Sequence, residues 1–194
     1  MKQQLPYLLA LLLSLSLCAQ KQNNNWYFGD KAGVTFNSGS PVALTNNALP
    51  HICTSAASMS DENGNLQFYT DGETVMNAAH SIMKNGSGLL GSPYYSQSLI
   101  IIPKPFTPKH YYIFTIQTIG SPGLYYSEVD MSAENGLGEI VMKNSQIING
   151  DLRTMITAKP KSDGTGVWLV THAKVGDKFY AISIDENGID SIPV

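Results

Sequence analysis

A few places in the sequence gather side chains that could do chemistry, and the spacing at each decides what that chemistry could be. Asp61-Glu62-Asn63-Gly64-Asn65 sets oxygen-bearing side chains at alternate positions, as a calcium loop does. An EF-hand loop needs Gly at its sixth position and Glu at its twelfth. Counted from Asp61 those positions hold Leu66 and Gly72, so the stretch reads as a hairpin turn. Asp71-Gly72-Glu73 brings two carboxylates together in sequence. Paired glycosidase carboxylates are defined by a separation in space of about 5–9.5 Å, which spacing does not supply, and a solvated turn is expected. His51, His80, His110 and His172 show no H-x-H, H-x-x-x-H or H-E-x-x-H spacing, so no metal site is assigned. His172 follows a strand end and is expected to be a hydrogen-bonded structural histidine. Cys53 lies two residues from His51, yet its apolar neighbour Ile52 fits a half-buried strand lead-in better than a Cys/His nucleophile.

Motifs that would fix a reaction are missing: no G-x-S-x-G elbow, Walker loop or dinucleotide fingerprint occurs. Gly86-Ser87-Gly88 and Gly120-Ser121-Pro122-Gly123 lack the following helix that phosphate cradling requires. Tyr94-Tyr95, Tyr111-Tyr112 and Tyr125-Tyr126 could stack on sugars, but they read as strand pairs with one ring inward and one outward. No catalytic residue and no cofactor is assigned. The remaining route to an enzyme is convergence in one pocket of two or more of Asp61, Asp71, Glu73, Asp130 and His172.

The elements that would position these residues are strands. Charged residues make up 14% of the 194 positions and hydrophobic ones 43%, with 17 glycines and 10 prolines. The usual charged share is about 25%, and the apolar fraction is too high for a disordered chain. Twelve basic residues face fifteen acidic ones without a Lys/Arg cluster, which argues against nucleic acid as a partner. At the N-terminus, Met1-Lys2 precedes the leucine-rich run Tyr7 to Leu17 and then Cys18-Ala19-Gln20. That run is too short for a transmembrane helix, which needs about 20 residues, and fits the core of a secretory signal peptide cleaved after Ala19. Leu17 before Cys18 is too bulky for a good lipobox, so plain secretion is expected over lipidation at Cys18. Residues 1–19 are thus assigned to a signal peptide, and no further run reaches membrane length. Cys53 is then the one remaining thiol of residues 20–194, which leaves no partner for an intramolecular disulfide.

Internal repetition is the strongest signal. Glu62-Asn63-Gly64, Glu134-Asn135-Gly136 and Glu186-Asn187-Gly188 repeat one turn, and Asn-Gly favours the positive φ angles of tight hairpins. Leu66 to Thr70, His110 to Thr115 and Val167 to Thr171 are three apolar runs ending in Thr. A shorter strand precedes each: Ala56 to Ser60, Leu99 to Ile102 and Thr154 to Ala158, the last two leaving through Pro103-Lys104 and Lys159-Pro160-Lys161. A third strand follows (Thr74 to Met76, Leu124 to Val129, Phe179 to Ile184), and a fourth is expected to open at Gly86, Gly136 and Gly188, at spacings of 50 and 52 residues. Four short antiparallel strands per unit of about 50 residues mark a β-propeller blade. Trp26 to Gly29, Gly33 to Phe36 and Val42 to Leu44 look like a blade without its first strand. Residues 20–194 are therefore expected to form an all-β, propeller-like domain of about three and a half blades, an incomplete ring truncated at its C-terminus.

Several of these stretches resemble a known segment. Asn25-Trp26-Tyr27-Phe28-Gly29, Ala32 to Phe36, Gly39 to Ala43, Ser58 to Gly72, Asn85 to Leu89 and Gln97 to Ile100 resemble the N-terminal region of large surface proteins from gliding and related Bacteroidota. The resemblance implies a propeller-type domain followed by immunoglobulin-like or polycystic-kidney-type modules and a C-terminal sorting domain read by the type IX secretion machinery. It implies a secreted or cell-surface, adhesin-like protein whose domain binds a surface glycan or a protein ligand without catalysis. An extracellular glycan-active enzyme, with acidic residues around a central channel, is the competing expectation, and a structural spacer presenting downstream modules is a third.

Overall fold

The computed structural model of the chain describes residues 21–49 and 53–190. The signal-peptide assignment, Cys18 and His51 lie outside the described residues. Among the described residues every regular element apart from two short 3-10 turns is a β-strand, as the composition and the period-two patterns imply.

Among the described residues fifteen strands follow one another as antiparallel meanders. The first holds β1 (Asn25–Gly29), β2 (Ala32–Thr35) and β3 (Val42–Leu44); the second β4 (Ala57–Ser60), β5 (Leu66–Thr70), β6 (Thr74–Asn77) and β7 (Ile82–Ser87). The third holds β8 (Leu99–Pro103), β9 (His110–Gln117), β10 (Gly123–Asp130) and β11 (Glu139–Asn149); the fourth β12 (Thr157–Pro160), β13 (Gly166–His172), β14 (Phe179–Asp185) and β15 (Gly188–Ile189). The second and third meanders are not separate sheets. Glu139 pairs with Lys84 in a parallel bridge between β11 and β7, which joins them in the order β4-β5-β6-β7-β11-β10-β9-β8. Their far ends, β4 and β8, also approach each other, so this eight-stranded sheet is barrel-like and nearly closed. Polar groups tie the β7–β11 seam: Lys84 Nζ lies 2.7 Å from Glu134 and 3.2 Å from Glu139, and Lys143 Nζ donates to the carbonyls of Asn85 and Ser87.

Apolar residues alternate along the strands and so feed two cores at once. Phe68 and Val75 join Ile113, Val129 and Ile140 between the second and third meanders. Tyr69 and Met76 instead join Tyr27 and Leu49 against the first meander. Tyr112, Phe114, Ile116 and Leu124 meet Leu169, Ile182 and Ile184 between the third and fourth. Burial on both faces is why β9 and β10 read as nearly continuous apolar runs.

Some local expectations shift. The fourth strands begin away from Gly86 and Gly136: β7 starts at Ile82 and contains Gly86, whereas β11 starts at Glu139, beyond Gly136. The first strand of the last unit is displaced, because Thr157–Pro160 form β12 while Thr154 and Met155 precede it. Among the three Glu-Asn-Gly turns, only the middle one has Asn and Gly both at positive φ, 56° at Asn135 and 89° at Gly136; at the others Gly64 and Gly188 alone do. The tyrosine pairs are not split inward and outward. Tyr111 and Tyr112 pack into two different cores, and Tyr125 is buried beside a partly buried Tyr126. Tyr94-Tyr95 sits in the turn before β8 rather than on a strand.

Candidate functional site

A cluster of ionisable side chains grows from the β9–β10 register. His110 lies opposite Asp130, and Tyr112 opposite Glu128, so period-two alternation places all four on one face. Pro103 closes β8, and the Lys104 N–H then bonds to the His110 carbonyl at 2.9 Å, which folds Pro103–His110 into a tight loop. From the start of that loop Lys104 reaches back over the Tyr112 ring, 5.5 Å from its centroid, to within 2.8 Å of Glu128 Oε1. His110 Nδ1 lies 2.9 Å from the same oxygen, and its Nε2 is 3.6 Å from Asp130 Oδ1. Glu128 is 8% exposed, and burying a carboxylate is costly unless it is paired and hydrogen-bonded.

Electrostatics follow the contacts. Hydrogen bonding to Glu128 raises the Lys104 pKa above the ordinary lysine value, outweighing the opposing effect of burial. The Ser132 hydroxyl and N–H donate to Asp130 Oδ1 at 2.6 and 2.7 Å and hold its carboxyl below the usual range. Burial raises the Tyr112 phenol. One Glu128 oxygen thus takes both the ammonium and the imidazole, so it is engaged as a structural counter-ion and fixes the base of the Pro103–His110 loop.

That loop forms one wall of an open cleft of about 710 Å³. The Asp61–Asn63 turn, Met131 and Gly136 line it too, with Gln22, Gln67, Phe106, Lys109 and Tyr111. Phe106, at positive φ in the loop, is 68% exposed. The cleft therefore offers an aromatic face, amides and charges of both signs. A more apolar opening of about 450 Å³ is bounded by Tyr27, Ala56, Met59, Ile100 and Ile101. A slot of about 240 Å³ lies against Met155, Ile156, His172 and Phe179.

The five residues singled out for convergence fall at four separate places, with only Asp71 and Glu73 sharing a turn. Asp61 closes its own turn, accepting from the N–H groups of Asn63 and Asn65 and from the Asn65 amide. Burial works against its charge, but these bonds prevail and hold it below the ordinary carboxylate range. Asp71 caps the N–H groups of Glu73 and Thr74. The solvated turn expected there needs correcting: Asp71 is only 2% exposed, because Gly91 and Ser92 fold against Gly72. Asp130 stands beside His110, whereas His172 borders the slot, with Nδ1 2.8 Å from the Ala173 carbonyl. His80 lies between the Tyr69 hydroxyl and Asn46, a structural contact. Cys53 precedes β4 as expected, half-buried, and burial followed by the nearby Asp71 and Glu73 charges pushes its thiol up to about 11. No group of three or more His, Cys, Asp or Glu poised for a metal ion occurs among the described residues.

Sequence reasoning passed over Lys104, His110 and Glu128 as a set. One signal was present: Glu128 is the only charged residue in Leu124–Val129, and an ionisable side chain on a strand buried on both faces demands a partner. Which partner it finds depends on strand register. Comparison with known proteins gives no assignment: no family model matches the chain, and no curated protein or solved structure matches it either.

Proposed function

We propose that the chain is a secreted or cell-surface, non-catalytic binding and scaffolding module, built as an incomplete β-propeller of four-stranded blades. The observation that carries this reading is the division of labour among its polar residues. Those that could have done chemistry are used in turns and counter-ions, while the open cleft beside Phe106 gathers aromatic, amide and charged groups from three separate connections, β4–β5, β8–β9 and β10–β11. Loops on a rigid sheet framework are where partners are usually met. Support for the propeller form comes from the succession of meanders with an apolar core between each neighbouring pair. Export through a signal peptide and the type IX machinery rests on the N-terminal run and the resemblance given above.

The ligand proposed for the cleft is an extracellular glycan, for which an exposed ring flanked by amides is a suitable surface. Glycan-array binding tests it. The wild-type chain retains defined glycans, Phe106→Ala and Gln67→Ala lose them, and retention that survives both substitutions removes the cleft from the reading.

One observation favours the glycan-active enzyme: His110 joins two carboxylates at the border of the cleft. That reading requires hydrolysis of a retained glycan by the wild-type chain and its loss in His110→Ala. The binding reading requires retention without turnover.

A further inference from the structure

The Phe106 cleft lies at the end of the β9–β10 pair where His110 stands opposite Asp130; at the other end Gln117 stands opposite Gly123. Four connections meet beyond that second end. Tyr95 precedes β8, Thr118 and Ile119 leave β9, Leu152, Arg153 and Thr154 lie between β11 and β12, and Lys174 turns from β13 to β14. Together they line an opening of about 310 Å³ where the third and fourth meanders adjoin.

The backbone sets the direction of the two cations in this opening. Leu152 pairs with Ala173 in an isolated antiparallel bridge. Its two bonds run from the Arg153 N–H to the His172 carbonyl at 3.1 Å and from the Lys174 N–H to the Asp151 carbonyl at 3.0 Å. The Leu152 side chain is buried in the core between the two meanders. Side chains alternate along extended backbone, so Arg153 and Lys174, each one residue beyond the bridged pair, turn together to the opposite, exposed side. Arg153 is the only arginine of the 194 residues. Among the described residues Lys84, Lys104 and Lys161 each pair with a carboxylate, whereas Arg153 and Lys174 pair with none. A second observation falls on the same opening. Of the buried side-chain nitrogen and oxygen atoms among the described residues, the Thr118 hydroxyl oxygen alone has no hydrogen-bond partner. Leaving a buried hydroxyl unpaired is costly, and such a group points to a partner from outside the chain.

We infer that this opening is a binding site for an oxyanion, a carboxylate or a sulfate, carried by a small polar ligand. The Arg153 guanidinium supplies a planar fork that can take two oxygens at once. Lys174 adds a second positive charge, and the hydroxyls of Thr118 and Thr154 are further donors. Tyr95 and Ile119 offer the body of the ligand an aromatic and an apolar surface. An anion satisfies both cations and the orphaned hydroxyl in one event, which a neutral ligand does not. The inference does not depend on what the Phe106 cleft binds.

Isothermal titration calorimetry in a low-salt, phosphate-free buffer tests it, with sodium glucuronate and sodium sulfate as probes and glucose as the uncharged control. At least one of the two anions binds in the millimolar range or tighter, and glucose does not. Binding of sulfate identifies the oxyanion itself as the recognised group, and binding of glucuronate without sulfate assigns recognition to a carboxylate on its ring. Arg153→Gln weakens binding by about tenfold or more, and Lys174→Gln, which removes a point charge without a fork, weakens it by less. Both side chains are exposed, so neither substitution disturbs the core. Thr118→Val weakens binding while leaving the ligand-free Tm at or above the wild-type value, because it deletes a hydroxyl without an internal partner. Absence of binding by both anions overturns the inference. So does binding that survives Arg153→Gln, equal binding of glucose and glucuronate, or a lower Tm in Thr118→Val. Binding lost in Phe106→Ala but kept in Lys174→Gln belongs to the other cleft and overturns it as well.

Discussion

Replacing Glu128 with glutamine keeps the side-chain shape and removes the charge that both Lys104 and His110 address. Breaking a buried ion pair from one side costs about 3–5 kcal/mol when the orphaned charge stays dry. Here the Lys104 side chain is 26% exposed and the Glu128 side chain 11%. Lys104 can therefore regain part of its hydration, and the expected cost falls to about 2 kcal/mol. For a domain of this size that is a drop in Tm of about 4–8 °C. Lys104→Met removes the ammonium while keeping an apolar stem over Tyr112, and the Lys104→Met/Glu128→Gln double variant should be less destabilised than the sum of the singles by about 1 kcal/mol. The pH dependence carries a sign. The folded-state pKa of Lys104 is raised, so its contribution is whole below the unfolded-state value of about 10.4 and is lost as pH rises through the folded value. The gap between wild type and Glu128→Gln should be flat from neutral pH to mild alkali and narrow above that range. Urea denaturation at stepped pH measures all of this. A cost below about 0.5 kcal/mol, the range of ordinary surface changes, or strict additivity in the double variant would refute the counter-ion assignment.

Other outcomes are open to direct measurement. Asp61 and Asp130 have lowered pKa values, so the stability they add is present above the ordinary carboxylate pKa of about 3.9 and is lost as pH falls through their folded values. Acid titration of Asp61→Asn should show a shallower loss than wild type below that pH, and an identical slope would contradict the turn assignment. With its thiol pushed up to about 11, Cys53 should react with a disulfide reagent at pH 8 far more slowly in the folded protein than in urea; equal rates would mean the burial is wrong. Gly91→Ala would press a methyl group onto the carbonyl oxygen of Gly72, a backbone atom that cannot rotate away. Its expected cost is about 2–3 kcal/mol, read from the urea midpoint, and a neutral result would show that this turn can shift.

Much of the architecture was legible from local pattern, because local rules govern it. Apolar runs ending in Thr placed β5, β9 and β13, and alternation placed β14, each to within a residue or two, and the leading Leu99 to Ile102 run became β8. Glycine was a weaker guide. Gly86 and Gly136 mark positions where the backbone must turn or come close, and a strand can start before such a residue or after it. The same limit applies to the tyrosines: a period of two says that Tyr111 and Tyr112 face opposite ways, not that both faces are covered.

The sequence by itself determined that the described residues are all-β, and that the chain is poor in charge and without a recognisable catalytic motif, since composition and short-range periodicity depend only on neighbours along the chain. Tertiary structure alone decided that β7 and β11 join two meanders into one sheet, that Asp71 is buried, and that Lys104, His110 and Glu128 meet. These features depend on strand register and on which sheet covers which face. A shift of one residue reverses every side chain on a strand, so neither is contained in any local window of sequence.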